Sequence, residues 1–296
     1  MSTTRSWTSV HVFYDGDLDV VVTDLVATLT TRVAHLHRGL FFLRYWDGGP
    51  HLRIRILSDD GRRPEIHGIV AEATRDFLRR RPAPAGLDQD RYAQQAARLA
   101  EVEGLHRYER VRRPGNSLAF VPYQPETHRY GTGPQLHAVE DHPVRCSTAV
   151  RRLLTAGPST ADRRTVAYAV LVLGWWTAWT VGGTPPAVDP TLVGVDDDRD
   201  LDGFRRQRGS LLELTGRMRA LATAPPEQPV GILGTWARSL ATLAGRIDDP
   251  AAVWPLLDAC THLACNRLGV HLAEEENLRR LAHRALAELL LGEVTR

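Results

Sequence analysis

The spacing of apolar positions changes period along the chain. Ser9 to Tyr14 (SVHVFY) is short and rich in β-branched and aromatic residues, which predicts a strand. From Leu18 to His37 apolar residues recur at helical spacing behind Asp17 and Asp19, and a helix is expected there. Two β-rich runs follow, Leu40 to Trp46 (LFFLRYW) and Leu52 to Leu57 (LRIRIL). The turn signal Asp47-Gly48-Gly49-Pro50 separates them, so they predict an antiparallel hairpin. Helical spacing resumes over Pro64 to Arg81, stops at Pro82-Ala83-Pro84 and returns over Asp88 to Val102. Gly104 to Gly115 is Arg-rich and aperiodic, Ser117 to Tyr123 (SLAFVPY) predicts a further strand, and Gln124 to Gly133 reads as a polar connection. Beyond it the period is helical over about 138–155, 160–181, 199–222, 230–247, 251–268 and 272–292. Breaks fall at Gly182 to Pro190 and Ala224 to Pro229. Strands gathered ahead of helices predict an α+β fold. The expectation is one domain over 1–296: an antiparallel sheet in a mixed half, 1–133, packed with a largely helical half, 134–296.

Composition narrows the chemistry. Hydrophobic residues make up 43% and charged residues 24%, the balance of a globular protein. No uninterrupted apolar run reaches the length of a membrane span, and Met1 to Val10 lacks the features of a secretory signal. All 37 basic residues are arginine. This excludes a Lys Schiff base, a phosphate-loop Lys and a Lys general base within the chain. The net charge of +2 gives no electrostatic case for a nucleic-acid partner. Three cysteines without framework spacing (Cys146, Cys260, Cys265) suit a reducing, cytoplasmic compartment.

Three segments could carry chemistry. In His51-Leu52-Arg53-Ile54-Arg55-Ile56, strand alternation puts His51, Arg53 and Arg55 on one face and the aliphatic residues on the other. Two guanidiniums side by side suit carboxylates, though a solvated strand face has the same pattern. In Tyr123-Gln124-Pro125-Glu126-Thr127-His128-Arg129-Tyr130-Gly131, proline and glycine bracket an acid and a base, as a functional loop or a simple turn-closing ion pair would. In Thr261 to Leu268, His262 and Asn266 share one helical face, as site residues or as a satisfied core histidine and its neighbour. Cys260, His262 and Cys265 do not converge on a helix, and no zinc spacing is present, so no metal is expected. Trp175, Trp176 and Trp179 read as core bulk or as an aromatic floor for a ligand. Asp196, Asp197, Asp198, Asp200 and Asp202 lack the glycine and terminal glutamate of a calcium loop.

Taken in order, these segments resemble the C-terminal domain of class I lantibiotic dehydratases and its stand-alone relatives, the thiopeptide-type bacteriocin biosynthesis proteins. The matching residues are Arg44-Tyr45-Trp46, His51 to Arg55, Tyr123 to Gly131 and His262 to Arg267, spread over nearly the whole chain. Where the family often has Gly-Gly after Arg-Tyr, this chain has Gly131-Thr132-Gly133; Cys146-Ser147 stands where Asp-Ser often starts the next helix. The resemblance implies an enzyme of ribosomal peptide modification that eliminates glutamate from glutamylated Ser or Thr to leave a dehydroamino acid. By motif position it implies Arg53, Arg55, Glu126, Arg129 and His262 as catalytic residues. His51, Arg44, Tyr130, Asn266, Arg267 and Trp179 are the expected substrate-binding residues. Within the family, two alternatives stand beside elimination: a thiopeptide [4+2] cycloaddition enzyme that forms a pyridine from two dehydroalanines, and a non-catalytic precursor-binding subunit. The implied partners are a precursor peptide (leader plus core) and a separate glutamyl-tRNA-dependent glutamylation protein. No cofactor, no membrane and no direct nucleic-acid contact are expected.

Overall fold

The structure, a computed structural model, describes residues 5–86, 88–183, 198–224 and 231–294. The chain divides into two compact units, 1–125 with 150–156, and 126–149 with 157–296.

The first unit is built on a four-stranded antiparallel sheet in the order β2-β3-β1-β4: β1 (Arg5–Phe13), β2 (Gly39–Tyr45), β3 (His51–Asp59) and β4 (Ser117–Phe120). The hairpin turn between β2 and β3 needs glycine, because Gly48 and Gly49 have φ of 87° and 113°. β4 stops at Phe120, short of the expected Tyr123, because Pro122 has no N–H to continue the ladder. Helix α1 spans 18–32; its Asp17 cap accepts a bond from the Asp19 N–H, and its middle, Val21–Val26, widens into a π-helix. It ends at Arg32 rather than running on to His37. Helix α2 (Arg63–Arg80) packs against β1, β4 and α1, and α3 (Gln89–Val102) starts at Asp88, whose side chain accepts from the Arg91 N–H. Register divides the sheet into two faces. Val10 and Val12 of β1, Phe42 of β2, and Leu52, Ile54 and Ile56 of β3 share a fully buried aliphatic face. His11 and Phe13 pair across the ladder with Arg53 and His51, on the opposite, aromatic and basic face.

The second unit is helical: α4 (Thr127–Tyr130), α5 (Gly133–Thr155, whose last turn belongs to the first unit), α6 (Thr160–Gly182), α7 (Asp198–Ala222), α8 (Gly231–Ala244), α9 (Pro250–Leu268) and α10 (Leu272–Val294). The segment expected as a plain connection contains the short turn α4. Helix α6 is the axis of the unit and contacts α7, α8, α9 and α10. A Ser159–Asp162 capping box starts it, and every residue from Ala167 to Ala178 is buried. By length and composition α6 could cross a membrane, with a mean hydropathy of 1.3 over its best 18 residues, yet two thirds of that window (67%) is buried inside the protein. Thr, Tyr and Trp interrupt the apolar run in the sequence without making the helix face water. Gly174 lets α6 and α9 touch: a Cβ there would lie 2.2 Å from Thr261 Cγ2. The expected chain breaks near 182–190 and 224–229, together with Asp196 and Asp197, fall largely outside the described residues, as do the side chains of Asp198 and Asp200; Asp202 pairs with Arg205 at 3.4 Å.

Candidate functional site

On the basic face of the sheet, hydrogen bonds to a neutral histidine fix one of two neighbouring guanidiniums. His51 is fully buried. Its Nδ1 lies 2.8 Å from the Gly49 carbonyl, to which it must donate, so its Nε2 is left to accept from Arg53 Nε at 3.3 Å. The Arg53 guanidinium lies over Tyr45, its Cζ 3.5 Å from the ring centroid. His11 stacks on His51 with ring centroids 4.7 Å apart and approaches Arg55 Nη2 at 3.4 Å. Burial, then the positive charges around them, push the His11 imidazole down to about 2 and His51 down to about 4. Both are neutral at physiological pH. Arg55 is pushed down to about 10, by burial and then by Arg53. Its Nη1 is buried without a hydrogen-bond partner, and among the described residues it forms no ion pair. The face therefore presents a desolvated cation with unused donors, held by aromatic rings. That arrangement accepts a carboxylate or another oxyanion.

Arg44 is placed differently from the other expected binding residues. It pairs with Leu52 across the ladder, on the aliphatic face, and its guanidinium meets Asp19 in the first turn of α1 at 2.5 Å. Strand alternation requires this, since Arg44 is next to Tyr45, whose ring lies beneath Arg53. Arg44 thus forms an ion pair between sheet and helix, on the face away from Arg53.

In the second unit the Glu126–Arg129 pair is loose, 4.0 Å apart with both side chains more than half exposed (56% and 54%). An exposed pair of this kind adds little stability. Arg129 covers the Tyr130 ring at 5.4 Å. Burial, the largest cause, pushes the Tyr130 phenol up to about 12. Gly131 ends the turn with φ 75° and ψ −161°, a conformation open essentially to glycine, and a Cβ there would sit 2.8 Å from Gln135 Nε2. The turn and α9 belong to the same unit, and the Arg129 and Arg267 charges oppose the upward push of burial on the Tyr130 phenol.

His262, 45% exposed, sits on α9 at the open end of a buried charge network. Its Nδ1 lies 2.9 Å from Glu275 Oε2, and Glu275 is only 3% exposed. The other Glu275 oxygen accepts from Arg279 Nε at 2.9 Å. Arg279 Nη1 in turn donates to Asp258 at 2.6 Å, and the same carboxylate oxygen accepts from Trp175 Nε1 at 2.9 Å. A carboxylate only accepts, so Nδ1 donates to Glu275, which fixes the orientation of the ring. This is the geometry of an oriented general base. His11 and Glu275 contact candidate site residues, and sequence reasoning missed both. Glu275 lies in a Glu274-Glu275-Glu276 run, where helical phase alone could have marked it as the inward-facing member.

Asn266 is half-buried, one turn beyond His262. Arg267 is 1% exposed and donates to the Leu263 carbonyl at 3.0 Å, so it braces α9 from inside. Five residues on a helix separate it from His262, which turns it to another side. Trp179 stacks on Trp176, with centroids 4.7 Å apart, while Trp175 and Trp176 are buried. All three cysteines are buried, and burial raises their thiols, Cys260 to about 12. Such thiols are inert as nucleophiles and poor metal ligands.

A family model described as "Lantibiotic biosynthesis dehydratase C-term" matches residues 7–286. No curated protein matches the chain by sequence. Among solved structures, the chain is similar to the pyridine synthase TbtD from thiomuracin biosynthesis, with 21% identity, a TM-score of 0.77 and coverage of 96% of this chain and 98% of that one. It is similar to TsrL at 16% identity and a TM-score of 0.62, over 96% of this chain and 95% of that one. It is similar to the tRNA-dependent lantibiotic dehydratase MibB from Microbispora sp. 107891 at 19% identity and a TM-score of 0.60, over 99% of this chain and 29% of that one. At these identities the structures establish a shared fold.

Proposed function

The chain belongs to the lantibiotic biosynthesis dehydratase C-terminal family, and from that premise we propose that it is an enzyme acting on a ribosomally made precursor peptide, eliminating glutamate from glutamylated Ser or Thr. The observation that carries this reading is Arg55, a largely buried cation whose Nη1 has no acceptor. A glutamyl ester brings one carboxylate to the reaction and releases a second, and a desolvated guanidinium strengthens most where that charge develops.

In the proposed step His262 Nε2 takes the α-proton of the modified residue. The C–H electron pair forms the Cα=Cβ bond, the Cβ–O bond breaks, and glutamate departs as a carboxylate; Arg53 and Arg55, on the sheet of the first unit, are the cations that the family motif assigns to carboxylate binding. Arg129, which lies over the Tyr130 ring, stabilises the enolate that develops on the substrate carbonyl, with Glu126 beside it. His51 holds Arg53 in place. Asn266 and Trp179 contact the peptide. A separate protein supplies the glutamylated peptide from glutamyl-tRNA, and the reaction runs in the cytoplasm.

Mass spectrometry on a glutamylated precursor tests this. The expected result is loss of one glutamate per modified residue, abolished in H262A and R53A; undiminished release by both variants overturns it. A second reading, formation of a pyridine ring from two dehydroalanines, draws support from the TM-score of 0.77 to a pyridine synthase over 98% of that chain. A thiazole peptide carrying two dehydroalanines then loses water and a leader fragment. Tight precursor binding without turnover of either substrate identifies a non-catalytic subunit.

A further inference from the structure

A cleft of about 270 Å³ opens in the second unit between α5 and α8, with no role in the chemistry proposed above. Its floor contains His142 of α5 and Ser239 of α8, which are 2% and 3% exposed. His142 Nδ1 and Ser239 Oγ are 2.8 Å apart. Burial, reinforced by Arg267 and Arg145, pushes the His142 imidazole down to about 3, so it is neutral. A neutral imidazole has one N–H and a serine one O–H, and their mutual bond uses only one of them. If Ser239 donates, the His142 Nε2–H is left over. If His142 donates, the Ser239 O–H is left over. Either tautomer leaves one hydrogen-bond donor on the floor of the cleft, and His142 Nε2 has no partner in the protein.

The rim has the complementary charge. Arg145 and Arg246 line it, both exposed and neither in an ion pair among the described residues. His137 stands beside them, and the one acid on the wall, Asp141, already has a partner of its own. A surplus donor at depth beneath two free guanidiniums matches one ligand chemistry. We propose that the cleft binds a small oxyanion, a carboxylate or phosphate group, gripped by Arg145 and Arg246 and seated on the His142–Ser239 pair. The group comes either from an acidic side chain of a polypeptide or from a free small anion.

The experiment uses the whole protein labelled with ¹⁵N-histidine, titrated at low salt with inorganic phosphate, sodium glutamate and a capped triglutamate peptide. Saturable binding is expected, with the His142 Nε2 signal shifting as the leftover donor finds an acceptor. R145Q and R246Q, both at exposed positions, should each weaken binding about tenfold, the loss of one charge-assisted contact. Tighter binding of the triglutamate peptide assigns the site to a polypeptide; tighter binding of phosphate assigns it to a free anion. The proposal is overturned if none of the three binds saturably, if both variants bind as well as the wild type, or if the His142 signal stays still at saturation. The readout is binding rather than turnover, so it stands apart from the elimination reading.

Discussion

Replacing Glu275 with Gln tests the base assignment most sharply, because it keeps the shape of the side chain and removes its charge. In the wild type both carboxylate oxygens accept, one from His262 Nδ1 at 2.9 Å and one from Arg279 Nε at 2.9 Å. An amide has one oxygen and one NH₂. Arg279 is a permanent donor, so the amide oxygen turns to it, and the NH₂ faces His262. Nδ1 must then become an acceptor, which moves the imidazole proton to Nε2 and removes the lone pair that takes the α-proton. The expected loss is on the order of 10²–10⁴ in kcat, the contribution of a positioned base, with KM nearly unchanged. Glu275 is 3% exposed, so the weakened Arg279 bond and the lost charge should also lower unfolding free energy by about 2–4 kcal/mol. Histidine ¹⁵N spectra separate the two effects, since a tautomer change at His262 is visible in the folded protein and a general loss of stability is not. His262→Ala provides the contrast: the side chain is 45% exposed, so activity is lost with little change in stability. A folded E275Q protein releasing glutamate within about threefold of the wild-type rate, under 1 kcal/mol in barrier, refutes the reasoning.

Three further outcomes are expected. Arg55→Met should abolish turnover while leaving stability level or raising it by about 1 kcal/mol in urea titrations, because it removes a buried cation with an orphaned Nη1; a large loss of stability contradicts that view of Arg55. Stability should fall below about pH 6.5: His11, His51 and His142 have folded pKa values lowered to about 2, 4 and 3, so in that window the unfolded chain binds protons that the native state refuses. Each contributes nothing above pH 6.5 and costs on the order of 1 kcal/mol per pH unit below it, down to its own folded pKa, and urea midpoints that stay flat from pH 7 to 5 count against it. Gly131→Ala should destabilise by about 1–3 kcal/mol by calorimetry and lower activity, since φ 75° with ψ −161° admits only glycine without strain.

What could be read from the sequence depended on how far apart in the chain the cooperating residues lie. The hairpin and the division of β3 into a basic and an aliphatic face follow from period-two alternation within seven residues, and both are present. The same rule places Arg44 on the other face of the sheet from Arg53, but the motif grouped Arg44 with its neighbours in sequence instead of its neighbours in space. His11 was out of reach because its partnership with Arg53 and Arg55 depends on the β1–β3 register, 42 residues apart across the ladder, and nothing local fixes that register.

The helical unit shows the same limit in another form. His262 and Asn266 were legible as one face of a helix. The partner that orients His262 lies on the next helix, where three consecutive glutamates offer themselves and packing chooses one. That choice has a physical cause: Asp258 and His262 on α9 are one turn apart, as are Glu275 and Arg279 on α10, so each residue of one pair meets a residue of the other, His262 with Glu275 and Asp258 with Arg279. Glu274 and Glu276 lie about 100° to either side of Glu275 around α10, and Glu274 pairs with Arg164 instead. An oriented imidazole is thus a property of the helix pair. A change in how α9 and α10 pack should alter the tautomer of His262 before it alters any residue that the motif names.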